Sequence, residues 1–333
     1  MSILIYSNIE EKFNIMYFSA YMRVSVIIPT YKRAWALPYV LDSLSKQSIK
    51  PDEVVIILKP SGDNSENIIK KFQEILNIKI VLQSGGHSST AYALGIKAAR
   101  GDLLLFIDDD AIAHPDWVKN YINLFNELAD AGAIGGFEYK AYMINGVPHL
   151  TREPLYHDDI TKKTYYRAPL RELVDYCRWL SVSGYVGARP CNGSIVKSIH
   201  ISGMNMGFRR DVIKDINLEK YYKNSRKSFY FEFFMGYYVI KKGFNVYKVL
   251  DINKAPVVWH LESHRCSLTR TGGFWGEFWL HYDRASMFFR LKKLGASVSL
   301  PAYLLASLAI MRKRTLPRLL ATLYAILYNS IKS

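Results

Sequence analysis

Three consecutive carboxylates, Asp108, Asp109 and Asp110, follow the apolar run Leu103-Leu104-Leu105-Phe106-Ile107. Negative charges at the end of a buried strand are costly unless a cation or strong hydrogen-bond donors compensate them. A divalent metal does so naturally, and magnesium or manganese on hard oxygen ligands also takes phosphate oxygens into its shell. With side chains alternating at a period of two, Asp108 and Asp110 face one side and Asp109 the other. The competing reading is an acidic loop that caps a helix starting near Pro115. Further along, Arg265 and Arg270 are placed to clamp a diphosphate, and Gly272-Gly273-Phe274-Trp275 to close over it as a lid.

The elements that must position these residues read as alternating strands and helices. Apolar, β-branched runs at Val24–Ile28, Glu53–Leu58, Ile78–Leu82 and Leu103–Ile107 predict parallel strands of βαβ units. Between them, Leu37, Val40, Leu41, Leu44 and Ser48 share one helical face. Ser65-Glu66 opens a second helix carrying Ile68, Ile69, Phe72, Ile75 and Leu76, and Thr90–Arg100 forms a third, closed by Gly101. Ligands of open α/β sheets bind beyond the carboxyl ends of the strands, which here are Pro29–Arg33, Lys59–Asp63, Gln83–His87 and the Asp triplet. Residues 137–200 are polar, aromatic and weakly periodic, and read as an insertion or acceptor-side region with long loops. After it, His200–Phe208 is expected to return as a strand, Phe229–Lys242 to form a helix ended by Gly243, and Val246–Leu250 and Val257–His260 to form strands.

The chain has 333 residues, half of them hydrophobic, enough for a sizeable core. It divides into an N-terminal extension (1–21), a catalytic domain (22–292) and a tail (293–333). Met22-Arg23 offers a translation start directly before the first strand, and no secretory signal is recognisable ahead of it. The three cysteines, Cys177, Cys191 and Cys266, form neither a disulfide framework nor a zinc pattern, so a reducing, cytoplasmic compartment is expected. Of the net charge of +15, nine units come from the stretch Arg284–Ser333, which holds nine Lys or Arg and no acid. Interleaved with the apolar runs Leu294–Met311 and Leu319–Tyr328, these cations suit peripheral association with an anionic membrane surface rather than nucleic acid. Helices lying in the interface are favoured. A short hairpin or span, and amphipathic helices packed on the catalytic domain, are the alternatives.

Three ordered motifs resemble glycosyltransferase family 2: VSVIIPTYKR (Val24–Arg33), GDLLLFIDDDAIAHPDW (Gly101–Trp117) and ISGMNMGFRRDV (Ile201–Val212). The resemblance covers roughly residues 22–290. It implies a GT-A fold, an α/β architecture with a Rossmann-like, mostly parallel sheet and helices on both faces, here followed by a C-terminal amphipathic helical tail. It also implies a nucleoside-diphosphate sugar donor, a divalent metal (Mn or Mg) and inversion at the anomeric carbon. By position, Pro29, Thr30, Tyr31 and Arg33 resemble the loop that cradles the nucleotide, and their donors, aromatic face and guanidinium suit a base and phosphates. Asp110 would ligate the metal, Asp108 would lie near the ribose or beside the metal ligand, and Asp109 would face the donor or point away. His260 resembles a histidine that some relatives use as a further metal ligand, a satisfied core histidine being the alternative. Asn205 resembles the acceptor-side loop, with Trp275 assigned to the same side. Counting back from Gly243 places Glu232 at the catalytic carboxylate, where the apolar Phe231, Phe233 and Phe234 would raise its pKa and favour a role as base.

Two departures from the family pattern stand out. Where the second strand usually ends in acids, this chain reads Leu58-Lys59-Pro60-Ser61-Gly62-Asp63, so an acid that reads the base is missing or has moved to Asp63, with Lys59 beside it. Ala91-Tyr92-Ala93 stands where relatives often have Arg-Asn. The function expected is transfer of a sugar to a glycan or polyprenyl-linked acceptor with Glu232 as base. A polyprenyl-phosphate glycosyl synthase needing no base, or an inactive nucleotide-sugar or carbohydrate-binding relative, remains open beside it. A sugar nucleotidyltransferase fits less well, because Pro29–Arg33 contains no glycine.

Overall fold

A computed structural model describes residues 22–155, 167–262, 273–310 and 315–331. Its first half follows the alternation of apolar runs: β1 (Val24–Thr30), α1 (Leu37–Ser45), β2 (Glu53–Leu58), α2 (Ser65–Phe72), β3 (Ile78–Leu82), α3 (Ser88–Ala98) and β4 (Leu103–Ile107). β1 lies between β2 and β4, parallel to both, and β3 extends the sheet beyond β2. Because side chains alternate along a strand, β1 sends Val26 and Ile28 into one core with α1 and α2, and Ile27 into the opposite core with Ala91 and Ile96 of α3. Burial on both faces explains why β1, β2 and β4 read as nearly continuous apolar runs, while the edge strand β3 is more exposed.

Two local expectations are corrected here. Ser48 is exposed beyond the end of α1 while Ser43 and Gln47 are buried, because Gln47 donates to Ser43 O (3.0 Å) and His114 O (2.8 Å) and draws the chain inward. Gly101 does not cap α3; a Cβ there would stand 2.5 Å from the backbone nitrogen of Ser25, so close approach to β1 demands the glycine.

Beyond β4 come β5 (Ala111–Ala113), α4 (Trp117–Glu127), β6 (Ala131–Gly135), β7 (Phe137–Ile144) and β8 (Val147–Pro154). The next elements are β9 (Arg178–Leu180), β10 (Val186–Ala188), β11 (Ile195–Lys197), β12 (Asn205–Arg209), α5 (Arg210–Ile213), α6 (Leu218–Tyr222), α7 (Phe231–Lys241), β13 (Asn245–Val249) and β14 (Val257–Glu262). The central sheet has eight strands in the order β11-β13-β6-β12-β4-β1-β2-β3, and a second sheet runs β5-β14-β7-β8. β12 is antiparallel to β4 and so returns to the end of the Asp-bearing strand, as expected.

The described parts of the expected insertion, residues 137–155 and 167–200, hold more regular structure than long loops would. β7 and β8 form a hairpin about Asn145-Gly146, both left-handed (φ 51° and 77°), β9 pairs with β10, and β11 joins the central sheet beside β13. The second partner of β7, β14, and the partner of β11, β13, lie far away in sequence, so local pattern does not reveal those pairings. The expectation about cysteines is also corrected: Cys177 and Cys191 form a disulfide, so cysteine usage gives no argument for a reducing compartment.

The tail is helical: α8 (Phe274–Lys293), α9 (Leu300–Ile310) and α10 (Thr315–Ile331). The uncharged run from Leu294 is not one helix, since α9 starts only at Leu300 after a turn through left-handed Gly295 (φ 75°). Among the described residues no helix is long and apolar enough to cross a membrane. α9 and α10 pack on α8, where Tyr303, Ala306, Ala321 and Ala325 close a small core with Phe278, Tyr282 and Phe288.

Candidate active site

The parallel pairing of β1 with β4 and β2 brings the residues after Thr30, Leu58 and Ile107 to one edge of the sheet. There they line a cavity of about 650 Å³ whose walls include Pro29, Thr30, Tyr31, Lys59, the three aspartates, Glu232 and His260. The sequence-predicted residues that the structure describes converge there, Arg33 included, with three exceptions.

Asp109 and Arg33 form the floor. The Nε of Arg33 donates to Asp109 Oδ1 at 3.0 Å, a terminal guanidinium nitrogen lies 3.3 Å from Asp110 Oδ2, and the backbone N–H of Tyr31 donates to Asp109 Oδ2 at 3.2 Å. Arg33 is only 6% exposed, so the guanidinium expected to grip a phosphate is instead the internal counter-ion of the aspartates. Burial raises the Asp109 pKa, and Arg33 opposes the rise. Asp108 is pushed up to about 7 by burial and by Asp110 and Asp109 beside it. This triad of carboxylates is short of positive charge, the electrostatic condition for a cation.

His260 faces the triad from the second sheet. β14 pairs with β5 so that His260 stands opposite Ala111, and Leu261 N donates to Asp110 O at 2.8 Å. Its Nε2 lies 3.5 Å from Asp110 Oδ1, while Nδ1 lies 3.1 Å from Glu262 Oε1. A carboxylate behind the distal nitrogen fixes the ring's orientation, as in many metal-ligating histidines.

Glu232 opens α7 on the far wall. Burial pushes its carboxyl up to about 7, with Asp108 adding to the rise. Phe231 beside it stacks on Tyr92 (ring centroids 4.5 Å apart, planes at 16°), so the residue replacing the family's polar pair makes an aromatic wall. On the other side, Lys59 donates to Gly86 O at 2.9 Å with its ammonium 5.3 Å from the Tyr31 ring centroid.

The three exceptions have physical reasons. Asp63 lies outside the cavity walls, accepting hydrogen bonds from Ala34 N (3.1 Å), Ser61 Oγ (2.9 Å) and Ser65 N (3.3 Å); it staples two loops and does not replace the missing base-reading acid. Asn205 is fully buried and committed: Oδ1 accepts from Trp117 Nε1 (2.8 Å) and Tyr121 Oη (2.9 Å), and Nδ2 donates to Phe137 O (3.1 Å) and Pro256 O (2.8 Å). It ties the two sheets together and has no capacity left for an acceptor. Trp275 is 66% exposed on the first turn of α8, against Phe278, and is not a cavity wall. Arg265, Arg270 and Gly272 of the expected lid lie outside the described residues.

Sequence reasoning missed the loop Arg226-Lys227-Ser228, which lines the cavity beside His87. The buried Asp283 shapes it, accepting from Ser225 Oγ (2.8 Å), Lys227 N (3.1 Å) and Phe229 N (3.3 Å). Arg290 anchors Asp283 in turn at 2.9 Å. The adjacent cations just before an aromatic helix were the available signal. Burial lowers the His87 pKa, and Lys59 and Arg226 lower it further, which marks this side of the cavity as cationic.

A mostly parallel sheet with helices on both faces, and carboxylates beyond the strand that β12 rejoins, defines the GT-A type of glycosyltransferase fold. The crystal structure of GalNAc-T7 with UDP, GalNAc and Mn2+ shares this fold, with a TM-score of 0.57 at 11% identity, covering 88% of this chain and 58% of that one. The family description "Glycosyl transferase family 2" matches residues 25–189, and the chain belongs to that family. It is 34% identical over 119 residues to chondroitin synthase of Escherichia coli, covering 35% of this chain and 17% of that protein. It is 28% identical over 118 residues to the glucosyl-dolichyl phosphate glucuronosyltransferase of Haloferax volcanii, covering 34% of this chain and 38% of that protein. The matches therefore span well under half the length of those two relatives.

Proposed function

We propose that this chain is a metal-dependent, inverting glycosyltransferase that moves a sugar from a nucleoside diphosphate to an acceptor hydroxyl on a glycan or lipid-linked saccharide. The observation that carries the reading is that Glu232, the Asp108–Asp110 turn and His260 all open on one cavity. Glu232, close to neutral pH in its pKa, takes the acceptor hydroxyl's proton as that oxygen attacks the anomeric carbon. The bond to the diphosphate breaks on the opposite face, and one displacement inverts the configuration. Lys59 and the Arg226-Lys227 loop supply positive charge where the diphosphate departs.

Asp110 and His260 fit a divalent cation: a hard carboxylate oxygen and an imidazole nitrogen lie 3.5 Å apart, and such a mixed pair suits manganese. Among the described residues no group of three or more His, Cys, Asp or Glu converges for metal binding, and Asp110 and His260 would be the residues that hold the cation. A metal bound there supplies charge neutralisation for the leaving diphosphate. Mn2+ and UDP in the crystal structure of GalNAc-T7 support the choice.

A second reading, a polyprenyl phosphate as acceptor, draws on the basic tail, which we place on the cytoplasmic face of an anionic membrane. Such an acceptor is already ionised and needs no base. The test is transfer from UDP-, GDP- and dTDP-sugars with manganese or with EDTA, with the product anomer read by NMR. Metal-dependent transfer with inversion is expected. Nucleotide binding without turnover across the panel would overturn the reading in favour of an inactive binding relative.

A further inference from the structure

The two tail helices are built inside out. In α9 the residues turned inward are Ala302, Tyr303, Ala306 and Ser307, while Leu300, Leu304, Leu305 and Leu308 are exposed. In α10, Ala321, Thr322 and Ala325 are buried, whereas Leu316, Leu319, Leu320, Leu323, Tyr324 and Leu327 are exposed. The exposed positions recur at helical spacing, so each helix presents one continuous leucine face outward. A helix packed on a domain in water does the reverse, with large apolar side chains inside and polar ones outside. Outward faces of this size signal a covering surface.

We infer that the leucine faces of α9 and α10, with Trp275 beside them, are the surface by which this protein lies on an anionic lipid bilayer. The inference deepens the membrane placement proposed above and rests on it. Charge selects lipid over a protein partner: from Lys292 to Ser333 the sequence holds seven Lys or Arg and no Asp or Glu. A leucine face in a stretch with an excess of cations and no acid is the composition of an interfacial helix, and without acids it has no charge pattern to set the register of a protein interface. Lys292 and Lys293 are exposed at the end of α8, next to the turn that leads into α9.

Depth is limited by length. α9 has 11 residues and α10 has 17, both short of the ~20 that span a bilayer, so they lie along the interface. Trp275 extends the face: its ring packs on Phe278 (5.5 Å between centroids), which packs on Tyr324 of α10 (5.9 Å). An exposed tryptophan flanking a leucine surface matches the interfacial preference of that side chain. This gives Trp275 a role that the cavity does not.

The test is sedimentation of the full chain with vesicles of phosphatidylcholine, alone or mixed with phosphatidylglycerol, at low and high salt, with tryptophan emission read in parallel. Wild type is expected to bind the mixed vesicles with a blue shift that Trp275→Phe removes. The double variants Leu305→Gln/Leu308→Gln and Leu320→Gln/Leu323→Gln should each bind about tenfold more weakly, with unchanged melting temperature and nucleotide binding. Leucine variants that bind like wild type while salt releases all of the protein would overturn the inference and leave charge-driven membrane association standing. No vesicle binding by wild type would overturn both. Self-association that the leucine substitutions abolish, without vesicle binding, would assign the face to a second copy of the chain.

Discussion

The guanidinium of Arg33 joins two neighbouring carboxylates, lying 3.0 Å from Asp109 and 3.3 Å from Asp110. All three side chains are almost wholly buried, so removing the cation leaves two like charges facing each other without solvent. Arg33→Met should therefore destabilise the protein by about 3–5 kcal/mol at neutral pH, the usual cost of breaking a buried pair from one side. Arg33→Lys should recover only part of it, because one ammonium cannot reproduce the fork. The deficit should narrow on acidification as the orphaned carboxylates protonate. Urea denaturation at pH 5 and pH 8 checks this, and a loss under about 1 kcal/mol would refute a counter-ion role.

Glu232 makes two predictions with opposite signs. Its pKa rises from 4.5 to about 7 on folding, so the stability its protonated form contributes is complete below 4.5 and is lost as pH climbs through 7. Glu232→Gln keeps a neutral side chain, and should melt higher than wild type at pH 8 but not at pH 4.5. Turnover moves the other way: the base works only when ionised, so wild-type kcat/KM should rise with pH through about 7. The Gln variant should lose ~10²- to 10⁴-fold. A variant that keeps most of its turnover would point to an acceptor that is already ionised.

β1, β2, β4 and the Asp triplet were legible because these strands are buried on both faces and read as nearly unbroken apolar runs, and the more exposed edge strand β3 through its β-branched residues. Glu232 and His260 were reachable through the family pattern, and the structure brings both to the cavity. Asn205 misled, since a motif position says nothing about burial, and this side chain spends its capacity between the two sheets. Asp63 misled for a similar reason: a nearby acid is not a substitute when loop N–H groups already hold it. The Ile144-Asn145-Gly146-Val147 hairpin carried a readable turn signal, and overlooking it turned an ordered region into an insertion. The Arg226–Ser228 loop offered only its adjacent cations as a local signal, because its shape is imposed by Asp283, far away in sequence.

That loop yields a further prediction. The chain enters α7 through Ser228 (φ 51°) and Tyr230 (φ 64°), left-handed conformations that cost energy in non-glycine residues and need external restraint. Asp283 supplies the restraint through its bonds to the backbone of Lys227 and Phe229. Asp283→Asn should lower kcat on the order of 10- to 100-fold through misplacement of Glu232, with donor KM little changed and the alkaline rise in rate displaced. A normal kcat with an unshifted pH profile would deny it a positioning role.

Glu262 tests the cation site without touching its ligands. Its carboxylate lies 3.1 Å from His260 Nδ1 and orients the ring whose other nitrogen faces Asp110. Glu262→Gln should weaken manganese-dependent UDP binding by about 10- to 100-fold, as losses of such supporting carboxylates do. Binding of UDP without metal should be unaffected. Calorimetric titrations with and without EDTA separate the two, and equal losses in both would mean that Glu262 contacts the nucleotide itself.

The Cys177–Cys191 disulfide closes a loop with a sequence separation of 14 around β9 and β10. The Cys177 backbone is anchored independently of the sulfur bridge: its N–H donates to Lys197 O (2.9 Å), and its carbonyl accepts from Arg189 N (3.0 Å). Reduction should therefore leave the folded ribbon in place and act on the unfolded chain, whose entropy a loop of this length restricts by up to about 3 kcal/mol. A fall in stability of that order, with turnover preserved below the melting transition, is the expected outcome. Thiol titration of the denatured protein checks the premise. With three cysteines in the chain, one thiol should react before reduction and three after it. Three thiols before reduction would mean that the bridge does not form in the protein as isolated.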